Sequence, residues 1–350
     1  MPTVLADRVR SPWARKVLAI LGVLIVANLV LAVVGPILPE PVTYPTREIQ
    51  LSVELLDHQT EGGCVDLLVT GNSIAAHDVS AAALAAGLGL GSGVVSVLPG
   101  SIASVDVDWM NRVTLPRTDP GTVVYVVSPL TFAPEAVAER YGLGIYTRAV
   151  ATRGGWPGDL HRWATEHLPL FEYRLALADF AALSDGAEGK LPTSYAEILA
   201  ATGRSVDPDG HTRATGSFGG SAAFLESLGT AAQLVSDVWE VDQAQVDALA
   251  DQFAALEADG RRVVLVIPPV SSALPPVFPG GQEGYDEYLD AARRLGQATG
   301  VPTVDLADGA YPDSAFWDTH HLNQQGSERL TGEVADALAG TDFPACGEVG

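Results

Sequence analysis

The sequence predicts an α/β domain of parallel strands covered by helices, held behind one N-terminal transmembrane helix. Three observations carry that expectation. Short apolar runs that end in Gly or polar loops alternate with segments of helical period beyond residue 65. An apolar stretch broken by a single Asn fills residues 17–34. The chain of 350 residues is 47% hydrophobic, ample for a sizeable core.

Charge narrows the partners. Forty-three acidic residues face 20 basic ones, a formal net charge of -23. Phosphate binding needs a Lys/Arg surface, so nucleic acid is excluded and a neutral or cationic partner is expected. The bases that stand apart are Arg8, Arg10, Arg15 and Lys16, in a tail over residues 1–16.

Behind that tail, "VLAILGVLIVANLVLAVV" would span roughly 27 Å as a helix, enough for a slightly thin bilayer. Residues 17–38 are read as a single-pass anchor. Basic residues before it and an acidic chain after it place the N-terminus in the cytoplasm and the main domain outside the cell membrane. A cleaved signal peptide would share the basic start. The apolar run is longer than the usual signal core, however, and "VVGPILPEPV" offers no A-x-A site. Either way the domain is exported.

Residues 39–48 are read as an extended Pro-rich linker and 49–345 as the folded domain. "VDLLVTGNS" is the first strand and its exit, and "HDVSAAALAAGLGL" a helix capped by Asp78 or Ser80. "GVVSVLPG" is a second strand ending in Gly100, "SVDVDWMNRV" is helical, and "GTVVYVVSPLTF" is a third strand and its loop. The alternation then stops. Residues 136–235 are read as an insertion or lid, holding an amphipathic helix "HLPLFEYRLALADFAAL" and a Gly-rich excursion in which "DPDG" marks a hairpin turn. It resumes with helix "VDQAQVDALADQFAALEADG", strand "RRVVLVIPPV", helix "YDEYLDAARRLGQATG", strand "VPTVDLAD", loop "FWDTHHLN" and closing helix "QQGSERLTGEVADALAG". Cys64 and Cys346, before the first strand and after the last helix, either pair across the ends of the fold or remain two free thiols.

In a parallel sheet, the loops at the carboxyl ends of the strands gather on one edge, where ligands bind. Those loops offer Ser73, Gly100, Ser128, Thr131, Asp318, His320 and His321. A serine hydroxyl needs an imidazole to take its proton and a carboxylate to fix the imidazole's tautomer. The D-x-x-H spacing of Asp318 and His321 supplies both helpers from one loop, aimed at Ser73.

"VTGNSIAAHDVS" resembles the first block of the SGNH (GDSL-type) hydrolase superfamily, with Gly71-Asn72-Ser73 in place of Gly-Asp-Ser, and "DTHHLNQQG" resembles its last. Within it, the likeness is to membrane-anchored DltD-like proteins and to the alginate and peptidoglycan O-acetylation proteins. The resemblance implies a three-layer α/β/α sandwich with Ser73 as nucleophile, His321 as general base and Asp318 as its orienting partner. It also implies an oxyanion hole from the backbone N–H groups of Ser73 and Gly100. The superfamily's Gly-x-Asn-Asp block is absent; "SPLTF" stands there, with Ser128 or Thr131 as candidate substitutes for the Asn.

In function, the resemblance implies an extracytoplasmic serine esterase or O-acyltransferase acting on a cell-envelope glycan or related acyl ester, with a membrane partner as acyl donor. No cofactor is implied. A small-ester or lipid esterase would use the same triad, and a non-catalytic envelope-binding module would keep the fold without needing it. His320, Asn323 and Trp317 are candidate substrate contacts, while His77 and Trp109 are expected in surface or packing roles. A metal at Asp318, His320 and His321 is not expected, because the sequence shows no clear further ligand. An α/β-hydrolase elbow is rejected, since Ser73 ends the first strand rather than a late one.

Overall fold

The computed structural model describes residues 12–34, 47–61, 63–98, 100–135, 168–172, 204–216 and 239–347. The chain divides into two compact units, Met1–Gln50 with Thr152–Leu191 and Leu51–Ala151 with Pro192–Gly350.

In the first unit, helix α1 (Pro12–Val34) opens on a proline, whose missing N–H is no loss in a first turn. It begins earlier than expected and takes in Arg15 and Lys16; residues 35–38 of the expected anchor lie outside the described residues. Its segment Arg15–Val34 is long and apolar enough to cross a membrane, with mean hydropathy 3.0. Ile20, Val23, Ile25, Val26, Leu29 and Val33 are all exposed. Asn28 Nδ2 donates to the Leu24 carbonyl, and its Oδ1 accepts the Leu170 N–H at 3.0 Å. Leu170 sits in the single helical turn Pro169–Glu172, the part of the expected amphipathic helix that falls among the described residues.

The linker ends sooner than expected: Arg47 and Glu48 are already helical, in α2 (Arg47–Gln59), which begins in the first unit and continues into the second. The sheet of the second unit follows from the apolar runs. β1 (Leu67–Gly71), β2 (Gly93–Val97), β3 (Thr122–Val126), β6 (Arg262–Ile267) and β7 (Thr303–Asp305) form one parallel sheet in the order β2-β1-β3-β6-β7. β1 and β3 are buried along their whole length, which is why they read as continuous apolar runs rather than alternating ones. Gly71 is in register with both Val97 and Val126, so the exits of β1, β2 and β3 lie level at one edge. The chain turns from β2 on one side of β1 to β3 on the other, which makes this edge the switch point of the sheet.

Helices α3 (Ser73–Asp78), α4 (Ala81–Gly87), α5 (Ala103–Trp109), α6 (Gln243–Ala258), α7 (Gln282–Thr299) and α8 (Gln324–Ala337) flank the sheet. Leu67, Val69, Val124, Val126, Val264 and Val266 pack with Ile74, Leu84, Leu330 and Val334 of α3, α4 and α8. The alternate side chain Tyr125 meets Phe253 of α6, their rings 5.7 Å apart. Of the two expected caps for α4, Ser80 serves, accepting the Ala83 N–H. Asp78 instead closes α3.

The hairpin β4 (Arg204–Val206) and β5 (Thr212–Ala214) turns through Asp207–Gly210, as "DPDG" predicts, with Gly210 at φ +87°. Its turn meets the edge of the five-stranded sheet. The Val95 N–H of edge strand β2 donates to the Asp209 carbonyl at 2.7 Å. The Asp209 carboxylate accepts from Ser80 Oγ at 3.0 Å and from the Ala82 N–H at 2.8 Å. The rest of the 136–235 insertion, apart from Pro169–Glu172, lies outside the described residues.

Cys64 and Cys346 are disulfide-bonded with Cα atoms 5.7 Å apart. Beside them the Asp66 carboxylate accepts the N–H groups of Cys346, Gly91 and Ser92. The bridge joins the chain ahead of β1 to the chain behind α8, at the end of the sheet opposite the strand exits.

Candidate active site

The turn out of β1 has little freedom. Gly71 holds φ at +136°, and a Cβ there would collide with the Val126 carbonyl of β3. Asn72 caps α3, its Oδ1 accepting the Ile74 N–H at 3.2 Å and its Nδ2 donating to Ser128 Oγ. Ser73 is thereby the first residue of α3, half-buried at the switch-point edge.

The last loop is held just as firmly. Phe316 and Leu322, both fully buried, pair across it as an antiparallel bridge, and the Trp317 N–H donates to the His321 carbonyl at 2.9 Å. Ser271 Oγ donates to the Thr319 carbonyl at 2.7 Å, and the Leu322 N–H donates to Asp78 Oδ1 at 2.8 Å. Asp318 Oδ1 accepts the N–H groups of His320 and His321 at 2.9 and 2.8 Å. Its Oδ2 lies 2.7 Å from His321 Nδ1, and His321 Nε2 lies 2.9 Å from Ser73 Oγ. A carboxylate can only accept, so it fixes the proton on Nδ1 and leaves the Nε2 lone pair facing the serine hydroxyl. Burial opposes charge on Asp318, yet attraction to His321 and His320 together with these hydrogen bonds holds its carboxyl well below the usual carboxylate range.

The structure thus brings Ser73, His321 and Asp318 into one chain of contacts across 248 residues of sequence. His77 is packed beside it rather than on the surface, its ring 4.5 Å from His321 and stacked on Trp317. On the other side the His320 ring lies 4.1 Å from His321. Burial, then the neighbouring His321, pushes His320 down to about 4, so it is neutral near pH 7. Trp109 is a core residue whose Nε1 donates to Ser96 Oγ.

Asn323 has a different task from the expected substrate contact. Its Oδ1 caps α8 at the Gly326 N–H, while its Nδ2 donates to the carbonyls of Gly216 and Ser314. Ser128 and Thr131 are 1% and 0% exposed. Ser128 Oγ accepts from Asn72, and Thr131 Oγ1 accepts the Ser128 N–H at 3.0 Å, so both hydroxyls face inward. Gly100, at φ +71°, lies three residues past the end of β2 on the same edge as Ser73.

The ligating atoms of Asp318, His320 and His321 lie within 4.8 Å of one another. Both His321 nitrogens are already engaged, so a metal ion there would have to break the contacts to Ser73 and Asp318. Sequence reading missed His211, a buried residue of the hairpin whose Nε2 contacts the His77 carbonyl at 3.1 Å and Ser327 Oγ at 2.9 Å. It braces the end of α3. No local pattern signals it, because its partners lie 134 and 116 residues away in sequence.

Comparison with known proteins finds no family model that matches this chain and no curated protein significantly similar to it. The chemistry of the site itself has to assign a function.

Proposed function

We propose that this chain is an SGNH-like serine acyl esterase or O-acyltransferase of three-layer α/β/α architecture, anchored in the cell membrane with its domain outside. Its substrate class would be a cell-envelope glycan or a related acyl ester, with a membrane partner supplying the acyl group in the transferase case. The observation that carries the reading is the unbroken series of contacts from Asp318 through His321 to Ser73.

In this reading Ser73 Oγ gives its proton to His321 Nε2 as it attacks the acyl carbonyl carbon. The carbonyl oxygen takes up the displaced electron pair and is met by the backbone N–H groups of Ser73 and Gly100. Collapse expels the alcohol, which takes the proton from His321 and leaves acyl-Ser73. Water or a sugar hydroxyl, deprotonated by His321, then attacks the acyl carbon and frees the serine. Asp318 stays charged throughout and stabilises the imidazolium.

A second reading, a non-catalytic envelope-binding module, draws support from one observation: neither Ser128 nor Thr131 offers an outward donor in place of the missing Asn. Turnover of an activated acetyl ester, with and without glycan acceptors, separates the two. The enzyme reading expects turnover that Ser73→Ala abolishes, with acceptor stimulation if transfer is the reaction. Equal background turnover by both proteins, with envelope-glycan binding retained in Ser73→Ala, would favour the module.

A further inference from the structure

Below the strand exits lies a buried polar chain that no step of the reaction uses. Asp106 of α5 is buried between two hydroxyls: Ser101 Oγ bonds its Oδ1, and Tyr125 Oη donates to its Oδ2 at 2.6 Å. Ser101 Oγ also lies 2.6 Å from the Leu98 carbonyl. A serine hydroxyl has one proton for these two oxygens. If that proton went to a charged Asp106, Ser101 Oγ and the Leu98 oxygen would face each other as bare acceptors. Both contacts are satisfied only when Asp106 carries a proton and donates it to Ser101.

Protons then run in one direction, from the Tyr125 phenol to Asp106, from Asp106 to Ser101 and from Ser101 to the Leu98 carbonyl, at the turn that carries Gly100.

We infer that Asp106 is a positioning residue, a neutral acid whose proton on Ser101 holds Ser101 against the Leu98 carbonyl and so aims the neighbouring Gly100 N–H at the acyl oxygen. This rests on the reading of Ser73 as the acylated residue. Burial pushes the Asp106 acid up to about 7, although Ser101 and Tyr125 pull it down. The groups facing it are uncharged: Ser101 from its own side, Tyr125 from β3, and beyond Tyr125 the phenol of Tyr288 on α7 and the ring of Phe253 on α6. As pH rises and the acid ionises, the Ser101 contact turns repulsive and the turn slackens.

The test is the rate of Ser73 acylation by an activated acetyl ester, in the full chain, from about pH 5 to about pH 9. Asp106→Asn places an NH2 against Ser101 and a carbonyl against Tyr125 at every pH. It should keep the acid-side rate within about threefold and lose the wild type's alkaline decline of about tenfold. Asp106→Ala should be slow throughout. Ser101→Ala, which covers the case of a misfolded Asp106 variant, should be slower with a flattened profile. The infrared difference spectrum of wild type minus Asp106→Asn at acid pH should show the band of one buried carboxylic acid, the Asp78 band being common to both proteins and cancelling. An alkaline decline that Asp106→Asn leaves intact, or no such acid band, overturns the positioning role alone. No acylation of wild-type Ser73 at any pH overturns the serine reading and this role with it.

Discussion

Two buried aspartates at the carboxyl edge of one sheet are driven in opposite directions. Asp318, 5% exposed, is held far below the usual carboxylate range, whereas Asp106, 1% exposed, is pushed up to about 7. Burial opposes the charge in both, so the partners decide. Asp318 receives two backbone N–H groups and an imidazole that can itself become positive. Asp106 meets only hydroxyls, which can accept as well as donate. Asp78 extends the comparison: with one backbone N–H at Oδ1 and the Asp318 charge nearby, its acid is pushed well above the usual range, burial being the largest cause. Of these three buried carboxyls, the one held charged is the one with several donors that cannot turn round.

The largest expected break in that comparison is His321→Ala. It should lower the Ser73 acylation rate by about 10^4 and raise the Asp318 carboxyl by removing its main attraction. Rate measurements and carboxyl infrared spectra would check the two halves. Next is Asp106→Asn, read as stability against pH. The native acid binds its proton more tightly than the unfolded one, so wild type loses stability as pH rises from about 4 to about 7. The variant should gain up to about 4 kcal/mol over wild type by pH 8, at ~1.4 kcal/mol per tenfold change in proton affinity, and almost nothing at pH 4. Asp318 has the opposite sign: the stability it contributes is present above about pH 4 and is lost as pH falls below the usual carboxylate range. Urea melts across pH separate the two signs.

A smaller effect is expected at the far end of the sheet. Replacing both Cys64 and Cys346 by Ser should cost about 2–4 kcal/mol in a denaturant melt and leave the acylation rate within about twofold, since the bridge ties chain ends and touches no site residue. Smallest is Asp78→Asn. A neutral acid replaced by a neutral amide should shift stability by under about 1 kcal/mol, whereas Asp78→Ala, which frees the Leu322 N–H, should cost about 1–3 kcal/mol.

The sheet was legible because fully buried parallel strands read as apolar runs, and each run found here by pattern forms a strand in the expected order. The chain from Ser73 to Asp318 was legible because strand exits are where function collects and D-x-x-H is local. What stayed hidden depends on distant residues meeting. Nothing in "DPDG" says that its turn bonds the Val95 N–H of β2 or that His211 reaches the His77 carbonyl. Asn323 looked free for substrate because its three hydrogen-bond partners, Gly216, Ser314 and Gly326, come partly from elsewhere in the chain. Nothing in the helical segment "SVDVDWMNRV" singles out Asp106, because the Tyr125 that faces it comes from the next strand.

The most direct test of the serine reading is intact-mass analysis of the protein after exposure to a fluorophosphonate, alongside Ser73→Ala and His321→Ala. One adduct per chain, mapped to Ser73 and abolished by both substitutions, is the predicted result. A folded wild-type protein that takes up no adduct, or an adduct that survives Ser73→Ala, would contradict it.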